Sequence, residues 1–278
     1  MAIINFLSMI IWFLTWILIG KYVFDHLYYK NVSLEKELLE RNNKAMAFSY
    51  TGFLIGFVFA IYEALDPACA IFINAITGFL VMFLILFFTK LFDWVFLRDI
   101  DLSHEIVTSD NTSAGIIEGS FFFGMGLILS GAFSGPGGSS ILKVYGESIL
   151  FLIVGIIFLF IGSFILSWLL KVNLQKEIKE NNIAVASAFG GLFIGISSVI
   201  KTAISGPGSG TLGIDLKMSL LDFIFSLILM IIFFLLFDLI LFRKFSLTEE
   251  LKEPNVGAGI MIGGVFIISS VLSYFLMP

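Results

Sequence analysis

The stretch FDWVFLRDIDLSHEIVTSDN, residues 92–111, decides the fold because much of it recurs elsewhere in the chain. Residues 24–43 read FDHLYYKNVSLEKELLERNN, and the two stretches align without a gap, 68 residues apart. They share a Phe-Asp pair, a basic residue, a Leu, a Glu followed by an aliphatic residue, and a final Asn. Such internal similarity indicates one structural unit used more than once.

Two further copies extend the pattern. Residues 237–255 keep every shared position with one residue fewer before the Asn, whereas the copy that ends at Asn182 has Ile165 in place of the Asp. Each copy separates two long apolar segments, and small residues follow each Asn. The sequence therefore predicts a two-helix hairpin used four times, each time in the same orientation.

The composition places these hairpins in a membrane. Of the 278 residues, 59% are apolar and 13% are charged, against about 25% charged in an average soluble domain. So few charges exclude a soluble, disordered or nucleic-acid-binding protein. The 33 Phe and 26 Gly residues suit lipid contact and close helix packing inside a bilayer, respectively.

A helix needs about 20 apolar residues to cross the hydrocarbon core. Eight segments qualify, and the fold class predicted is an all-α polytopic membrane protein with the spans 3–24, 44–65, 70–92, 113–133, 148–170, 183–204, 218–242 and 256–277. Thirteen of the 16 Lys and Arg residues lie in the odd-to-even connections. The positive-inside rule then predicts cytoplasmic connections and both termini outside.

The repeats predict two four-helix units, residues 1–140 and 141–278. Residues 91–98 and 236–243 share the pattern Leu-Phe-Asp-x-x-[LF]-[LF]-Arg, which suggests that a four-helix half was duplicated. Small residues are concentrated on the even-numbered spans and bulky ones on the odd spans. We therefore expect even helices inside, around a central path, and odd helices facing lipid.

The combination of Leu-x-x-Glu-[LI], Asn-x-[AG]-x-[AG] and a Gly-rich helix resembles the domain of unknown function 350 family. These are small bacterial inner-membrane proteins, typically of four helices, and here the resemblance covers the whole chain as a tandem duplication. It implies a fold but no established activity. It also implies a role beside envelope-stress or membrane-organising proteins.

Four sets of polar residues are candidates for function. Glu118 stands out because it lies about two turns inside a small-residue helix, where its repeat counterparts are Tyr50, Phe189 and Ile262. An ionisable side chain there faces protein or water, either as a functional group or as a hydrogen-bonded structural one. The other sets are Asp25, Asp93 and Asp238 near the ends of odd helices; Asn43, Asn111, Asn182 and Asn255 at the starts of even helices; and Glu37, Glu105, Glu177 and Glu250 in the connections.

Each set has a structural and a functional interpretation. The Asp residues are either polar locks that fix each hairpin or part of an ion or proton relay, and the spacing favours a partner from a neighbouring helix or repeat. The Asn residues are either helix N-caps or a ring at the mouth of the path. The repeated Glu residues would favour cations there.

No enzymatic signature is present: the chain lacks His-Glu-x-x-His, Gly-x-Ser-x-Gly and a phosphate-binding Gly-x-x-x-x-Gly-Lys-[ST]. The only histidines, His26 and His104, lie in connections, and the one cysteine, Cys69, excludes an internal disulfide. We therefore predict no enzyme activity, no metal site and no cofactor.

Two functions remain open. The repeated hairpins and the intramembrane carboxylate favour a channel-like or transporter-like protein for small ions or protons. The alternative is a non-transporting scaffold whose repeated charged connections bind a cytoplasmic or membrane partner. Besides the lipid bilayer, the expected partners are such a protein or a second copy of the chain, and not nucleic acid.

Overall fold

The computed structural model describes residues 2–30, 32–65, 71–135, 141–205, 208–241, 250–251 and 254–276, without the side chains of residues 2–10, 141–142 and 241. Of the residues that the structure describes, 86% are helical and none forms a strand. In this part of the chain eight long helices follow one another: α1 (Ala2–Val23), α2 (Lys44–Ala64), α3 (Ile71–Phe96), α4 (Thr112–Phe133), α5 (Ile141–Leu170), α6 (Ile183–Ile204), α7 (Leu212–Leu241) and α8 (Val256–Leu276).

The predicted fold class is confirmed. Among the described residues, seven helices, α2 to α8, are long and apolar enough to cross a membrane, and α1 occupies the first predicted span with 22 residues. The bounds follow local signals: α2, α4 and α6 each begin directly after an Asn that caps the first turn. The physical origin is that an Asn side-chain oxygen accepts a backbone N–H that the first helical turn leaves unpaired.

Short helical pieces fill three of the odd-to-even connections. The first connection contains π-helical turns at Phe24–Tyr28 and Lys36–Glu40, and the next two contain short α-helices at Leu102–Val107 and Leu174–Lys179. Asp101 and Asn173 cap these two short helices with their side chains. The side of the molecule on which the odd-to-even connections lie is called the connection side below.

The even helices form a row rather than a closed ring. Their contacts run from α2 to α4, from α4 to α6 and from α6 to α8, so that α2 and α8 lie at opposite ends. The expectation of even helices inside therefore holds for α4 and α6, where 78% of the most apolar stretch of each helix is buried. In α2 and α8 the buried share is 50% and 44%, because each has an inner neighbour on one side only.

Glycine makes the row tight. A Cβ atom placed on Gly119 of α4 would lie 2.3 Å from the carbonyl oxygen of Phe48 in α2. A Cβ atom on Gly263 of α8 would lie 2.5 Å from the carbonyl oxygen of Ser187 in α6. Since real Cβ atoms cannot approach so closely, these backbones touch only because a side chain is missing.

The odd helices cover one face of the row. α3 packs on α2 and α4, α5 packs on α4 and α6, and α7 packs on α6 and α8. Only 28% of the most apolar stretch of α3, and the same share of that of α7, is buried. Their large side chains, such as Phe83 and Ile232, are exposed, as expected for helices that face lipid. The opposite face of the row is an open groove of about 670 Å³ lined by α2, α4, α6 and α8.

Candidate functional site

Glu118 lies at the centre of a buried polar cluster. Its side chain is fully buried, and Oε1 accepts a hydrogen bond from the Tyr28 hydroxyl at 2.8 Å. Its other oxygen, Oε2, accepts from the hydroxyls of Tyr29 and Ser49. Three hydroxyl donors thus converge on one carboxylate inside the helix bundle. This arrangement offsets the cost of removing the carboxylate from water.

Lys90 of α3 connects the cluster to the connection side. Its ammonium lies 3.8 Å from Glu118 Oε1 and 3.3 Å from Asp93 Oδ2. It also donates to the hydroxyl of Ser103 in the short helix Leu102–Val107 at 3.1 Å, and it lies 4.3 Å from the ring centre of Tyr28. The Lys90 side chain is 42% exposed, so one end of the cluster reaches the molecular surface.

The end of α1 positions both tyrosines. The π-helical turn Phe24–Tyr28 follows α1 and is anchored by Phe24, which is buried among aromatic rings. Tyr28 and Tyr29 are adjacent in sequence, yet both hydroxyls reach Glu118. π-Helical turns are rare and often occur at functional sites.

A layer of phenyl rings closes the cluster on the side away from the connections. Phe53 is one turn beyond Ser49 in α2, and Phe122 is one turn beyond Glu118 in α4; their ring centres are 5.5 Å apart. Phe24 lies 5.2 Å from Phe53, and Tyr28 lies 5.4 Å from Phe122. Phe24, Phe53 and Phe122 are all fully buried. The polar cluster therefore ends against an apolar floor.

The three Asp residues have different surroundings. Asp93 belongs to the Glu118 cluster, but its basic partner is Lys90, three residues earlier in the same helix. The partner of Asp93 is thus on the same helix and not on a neighbouring one, because residues three positions apart lie on the same face of a helix. Asp25 is buried, and its Oδ1 has no hydrogen-bond partner among the described residues. Asp238 lies near the end of α7, far along the row from Glu118.

The Asn and Glu sets form one repeated arrangement, which we call the Asn–Glu clasp. In every copy the Asn Oδ1 accepts a backbone N–H of the first helical turn, and the Asn Nδ2 donates to a Glu carboxylate of the preceding connection. The donor–acceptor pairs are Asn43–Glu37 at 2.9 Å, Asn111–Glu105 at 3.0 Å, Asn182–Glu177 at 2.7 Å and Asn255–Glu250 at 3.0 Å. The backbone N–H donors belong to Met46, Ala114, Val185 and Ala258.

Two of the clasps also join neighbouring repeats. Asn43 Nδ2 donates to the carbonyl oxygen of Ile106 in the second connection at 2.9 Å. In the same way, Asn111 Nδ2 donates to the carbonyl oxygen of Ile178 in the third connection at 2.7 Å. The side chains of Asn43 and Asn111 are thus occupied both by capping and by contacts between repeats. Because the even helices form a row, the four capping Asn residues follow that row rather than a ring.

The first connection carries additional ion pairs. Arg41 Nη1 lies 3.0 Å from Glu37 Oε1 and donates to the carbonyl oxygen of Val107 at 3.1 Å. Lys21 Nζ lies 2.6 Å from Glu35 Oε1. The hydrogen bond and charge of Lys21 lower the pKa of the exposed Glu35 carboxyl. The Arg41 contact with Val107 joins the first connection to the second, whereas the Lys21–Glu35 pair joins it to α1.

The Glu118 cluster is confined to the first half of the chain. The counterpart of Glu118 in α8 is Ile262, which is fully buried, and the counterpart in α6 is the buried Phe189. The open groove is separate from the cluster, since its α4 lining consists of Thr112, Ile116, Gly119, Ser120 and Phe123. Glu118 points instead toward α1, α2 and α3. The described residues contain no group of three His, Cys, Asp or Glu side chains that could hold a metal ion.

Sequence reasoning singled out Glu118 and Asp93 but missed Tyr28, Tyr29 and Lys90 as their partners. A signal was available: residues 28–30 read Tyr-Tyr-Lys, whereas the aligned residues 96–98 read Phe-Leu-Arg. The second copy therefore lacks both hydroxyl groups that bind Glu118. Cys69 lies outside the described residues.

The fold and the cluster define a polytopic, all-helical membrane protein in which the buried cluster around Glu118 interrupts a repeated apolar architecture. The model of the family described as Domain of Unknown Function (DUF350) matches residues 1–133 and again residues 140–277. The chain therefore belongs to this family and contains two copies of the family's unit, as the sequence predicted.

A relative matches nearly the full length of the chain. The "UPF0719 transmembrane protein" of Aquifex aeolicus (strain VF5) is 33% identical over 264 residues, which cover 95% of this chain and 97% of the relative. No solved structure matches the chain. The relative's description agrees with a membrane location and specifies no activity.

Proposed function

We propose that this membrane protein binds and transfers protons at Glu118, as a transport-like protein of the membrane. The observation that carries the proposal is the convergence of Tyr28, Tyr29, Ser49 and Lys90 on one fully buried carboxylate. Ionisable groups inside a membrane are costly and commonly mark ion or proton pathways.

Among small ions, the cluster favours the proton. The Lys90 ammonium lies 3.8 Å from Glu118 Oε1, where it would repel a metal cation bound to the same carboxylate. The three hydroxyls all donate hydrogen bonds to the carboxylate. When Glu118 is protonated, one of them can rotate and accept a hydrogen bond from the carboxyl group instead. A proton therefore needs no new coordination shell, whereas a metal ion does.

The route on the connection side runs through Lys90 and Asp93. Lys90 is partly exposed and contacts both Asp93 and Glu118, so a proton can pass from solvent to the buried carboxylate in short steps. On the other side, Phe53 and Phe122 close the route. Transfer across the whole membrane requires these rings, or the tyrosines above them, to move.

Flux through purified protein in liposomes tests this function. We expect a pH gradient across the liposome to collapse faster with protein than without it. Glu118→Gln should reduce that flux at least tenfold while leaving the fold intact, because Gln keeps the shape of Glu but cannot exchange a proton. Glu63→Gln, at the far end of α2, is the matched control and should retain the flux. Absence of flux under every gradient would reject the proposal.

A second candidate is a scaffold that binds a protein partner through its connections. It is favoured by the close backbone packing of the inner helices, which leaves no polar opening between α2 and α4 at Gly119. The clasp residues Glu37, Glu105, Glu177 and Glu250 are used within the connections. The charges available to a partner are therefore the exposed ones, such as Lys36 and Glu40.

Capture of partners by the tagged protein tests the scaffold. Replacing Lys36 and Glu40 by Ala should reduce capture of a specific partner, whereas Lys143→Ala on the opposite side should not. Equal capture by all three proteins would count against the scaffold.

We also propose that the connections are cytoplasmic and the termini outside, on the strength of the basic residues in the connections. A cysteine at the exposed Leu39, in a Cys69→Ser background, should react with a membrane-impermeant maleimide only after the cells are opened. Labelling in intact cells would show that the connections lie outside, which is the opposite orientation.

A further inference from the structure

The row of even helices has two open ends, and we propose that a second copy of the chain continues it. In this arrangement the free face of α8 in one copy packs on the free face of α2 in the next, head to tail. The proposal concerns assembly and does not depend on proton transfer. Its basis is that the row already contains this joint once, between the two family units.

The joint between the units is the contact of α4 with α6. A Cβ atom on Gly190 of α6 would lie 2.5 Å from Ser120 Oγ and 3.4 Å from Ser120 Cβ in α4. Two polar contacts accompany the packing at the connection side. Asn111 Nδ2 donates to the Ile178 carbonyl at 2.7 Å, and the Ser113 N–H donates to Asn181 Oδ1 at 3.0 Å.

The open faces carry the counterparts of these residues. Counted from the capping Asn, α8 has Gly264 where α4 has Ser120, and α2 has Thr51 where α6 has Gly190. The joint inside the chain pairs a hydroxyl residue on the first helix with Gly on the second. The joint between copies would pair Gly on the first with a hydroxyl residue on the second. The combined size of the two residues is thus nearly the same in both joints, although Gly and the hydroxyl residue have exchanged sides.

Both faces have room for this contact. A Cβ atom on Gly264 would meet no atom of the described chain within 4 Å. Beside it, Ile260 and Ile268 are 60% and 48% exposed, and Thr51 on α2 is exposed as well. Thr51 and Ile268 are the counterparts of Gly190 and Gly124, which lie at the contact between α4 and α6 inside the chain.

The polar contacts of the joint also have unused counterparts at the two ends. Asn255 is exposed and donates one Nδ2 hydrogen to Glu250, whereas Asn111 uses its second hydrogen for the next repeat. The corresponding carbonyl, that of Leu38, receives no side-chain hydrogen bond in the described part of the chain. Asn42 has a φ of 53°, close to the 54° of Asn181, and its side chain has no partner among the described residues.

One pair differs from the internal joint. Val58 and Ile268 stand where Ser197 and Gly124 meet inside the chain, so the copies must separate toward the side opposite the connections. Contact is therefore closest between the connection side and Thr51. Because the two faces are different, each pair of copies leaves one free α2 and one free α8. The row can therefore add further copies, which form a ring if the rotation between copies closes and an open filament if it does not.

Disulfide trapping in native membranes tests the contact. Two differently tagged full-length chains, both with Cys69→Ser, carry Thr51→Cys and Gly264→Cys, respectively. If the copies meet as α4 meets α6, the Cβ atoms fall near the spacing that a disulfide needs, about 3.5–4.5 Å. Mild oxidation should then produce a covalent dimer that carries both tags, whereas either variant expressed alone should produce none.

The controls separate this contact from others. Ile232→Cys, on the lipid-facing side of α7 at a similar depth, should not trap with Thr51→Cys. Dimers from Thr51→Cys alone would indicate contact between like faces and overturn the head-to-tail arrangement. A mixed yield no higher than that of the Ile232 control would also overturn it.

Mass measurement in mild detergent provides a second readout that needs no cysteine. The wild-type protein should be larger than one chain, and Gly264→Leu should abolish the larger species without lowering the unfolding temperature, because the added side chain meets open space within its own chain. A wild-type mass of one chain, or an unchanged mass for Gly264→Leu, would contradict the proposal.

Discussion

At the scale of single residues, the deeply buried carboxylate of Glu118 in α4 lies where donors from three other segments meet. Glu118 receives two tyrosine hydroxyls from the segment after α1, a serine hydroxyl from α2 and the charge of Lys90 from α3. Burial of a charge is tolerated only when such partners are present. The cluster therefore joins these segments as well as holding an ionisable group.

Removal of one donor measures this joining role. Tyr29→Phe keeps the ring that packs on Phe24 but deletes a hydrogen bond to Glu118, and we expect a loss of about 1–2 kcal/mol in unfolding free energy. The exposed Tyr22 is the matched control, and Tyr22→Phe should cost less than about 0.5 kcal/mol. Denaturant unfolding in detergent checks both values, and equal effects would show that the hydroxyl of Tyr29 contributes nothing specific.

At the scale of helices, two devices repeat along the chain: an Asn that begins each even helix and small residues that let the even helices touch. The caps depend on residues next to each other in sequence. The close contacts depend on glycines whose partners lie in another helix, such as Gly119 against Phe48. Mutation of a capping Asn should therefore remove hydrogen bonds, whereas mutation of a contact Gly should push two helices apart.

The clasps allow the cap to be separated from the contact between repeats. Asn111→Ala removes the cap and two further hydrogen bonds, one of them the buried bond to Ile178 in the next unit, and we expect a cost of about 2–4 kcal/mol. Asn255→Ala removes an exposed cap and should cost about 1 kcal/mol. Thermal unfolding of the two variants provides the comparison. Equal losses would mean that the bond to Ile178 adds no stability.

The glycine contacts predict an equally clear difference. Gly119→Ala forces a methyl group against the Phe48 carbonyl, and we expect a loss of about 1–3 kcal/mol or more from overpacking. Gly146→Ala in α5 meets no described atom within 4 Å and should be neutral or stabilise the helix by up to about 1 kcal/mol. The unfolding temperature of each variant checks this, and a stable Gly119→Ala would contradict the backbone contact.

At the scale of the whole molecule, two family units are joined through α4 and α6. Each unit matches the family model by itself, and the joint between them combines small-residue packing with the Asn111 and Ser113 hydrogen bonds. The same joint also sets the open groove, since the groove is lined by helices of both units. The two units should therefore associate even when they are expressed as separate chains.

Separation of the chain between the units tests how much this joint contributes. Residues 1–139 and 140–278, co-expressed as two chains, should purify together through a tag on either one. Gly190→Leu should abolish this association, because the added side chain collides with Ser120. Gly213→Leu in α7, where a Cβ atom meets no described atom within 4 Å, is the control. Independent purification of the two unmutated chains would show that only the linker holds the units together.

Much of the helix pattern could be predicted, but the surroundings of the site could not. Glu118 is conspicuous in sequence because it interrupts a run of small and apolar residues, yet its contact with Tyr28 and Tyr29 joins residues about 90 positions apart. Lys90 is likewise one of the basic residues near the connections, yet its ammonium lies beside Glu118. These contacts depend on how far each helix is rotated about its axis, and composition does not determine that rotation.

By itself, the sequence determined the membrane class, the spans, the capping Asn residues and the duplication, because apolar length and capping act over neighbouring residues. The tertiary structure alone decided that the even helices form an open row and that Glu118 faces α1 to α3 rather than the groove. The physical reason is the distance between helices. Glycines allow backbones to touch along α2, α4, α6 and α8, and the resulting contacts leave both ends of the row uncovered.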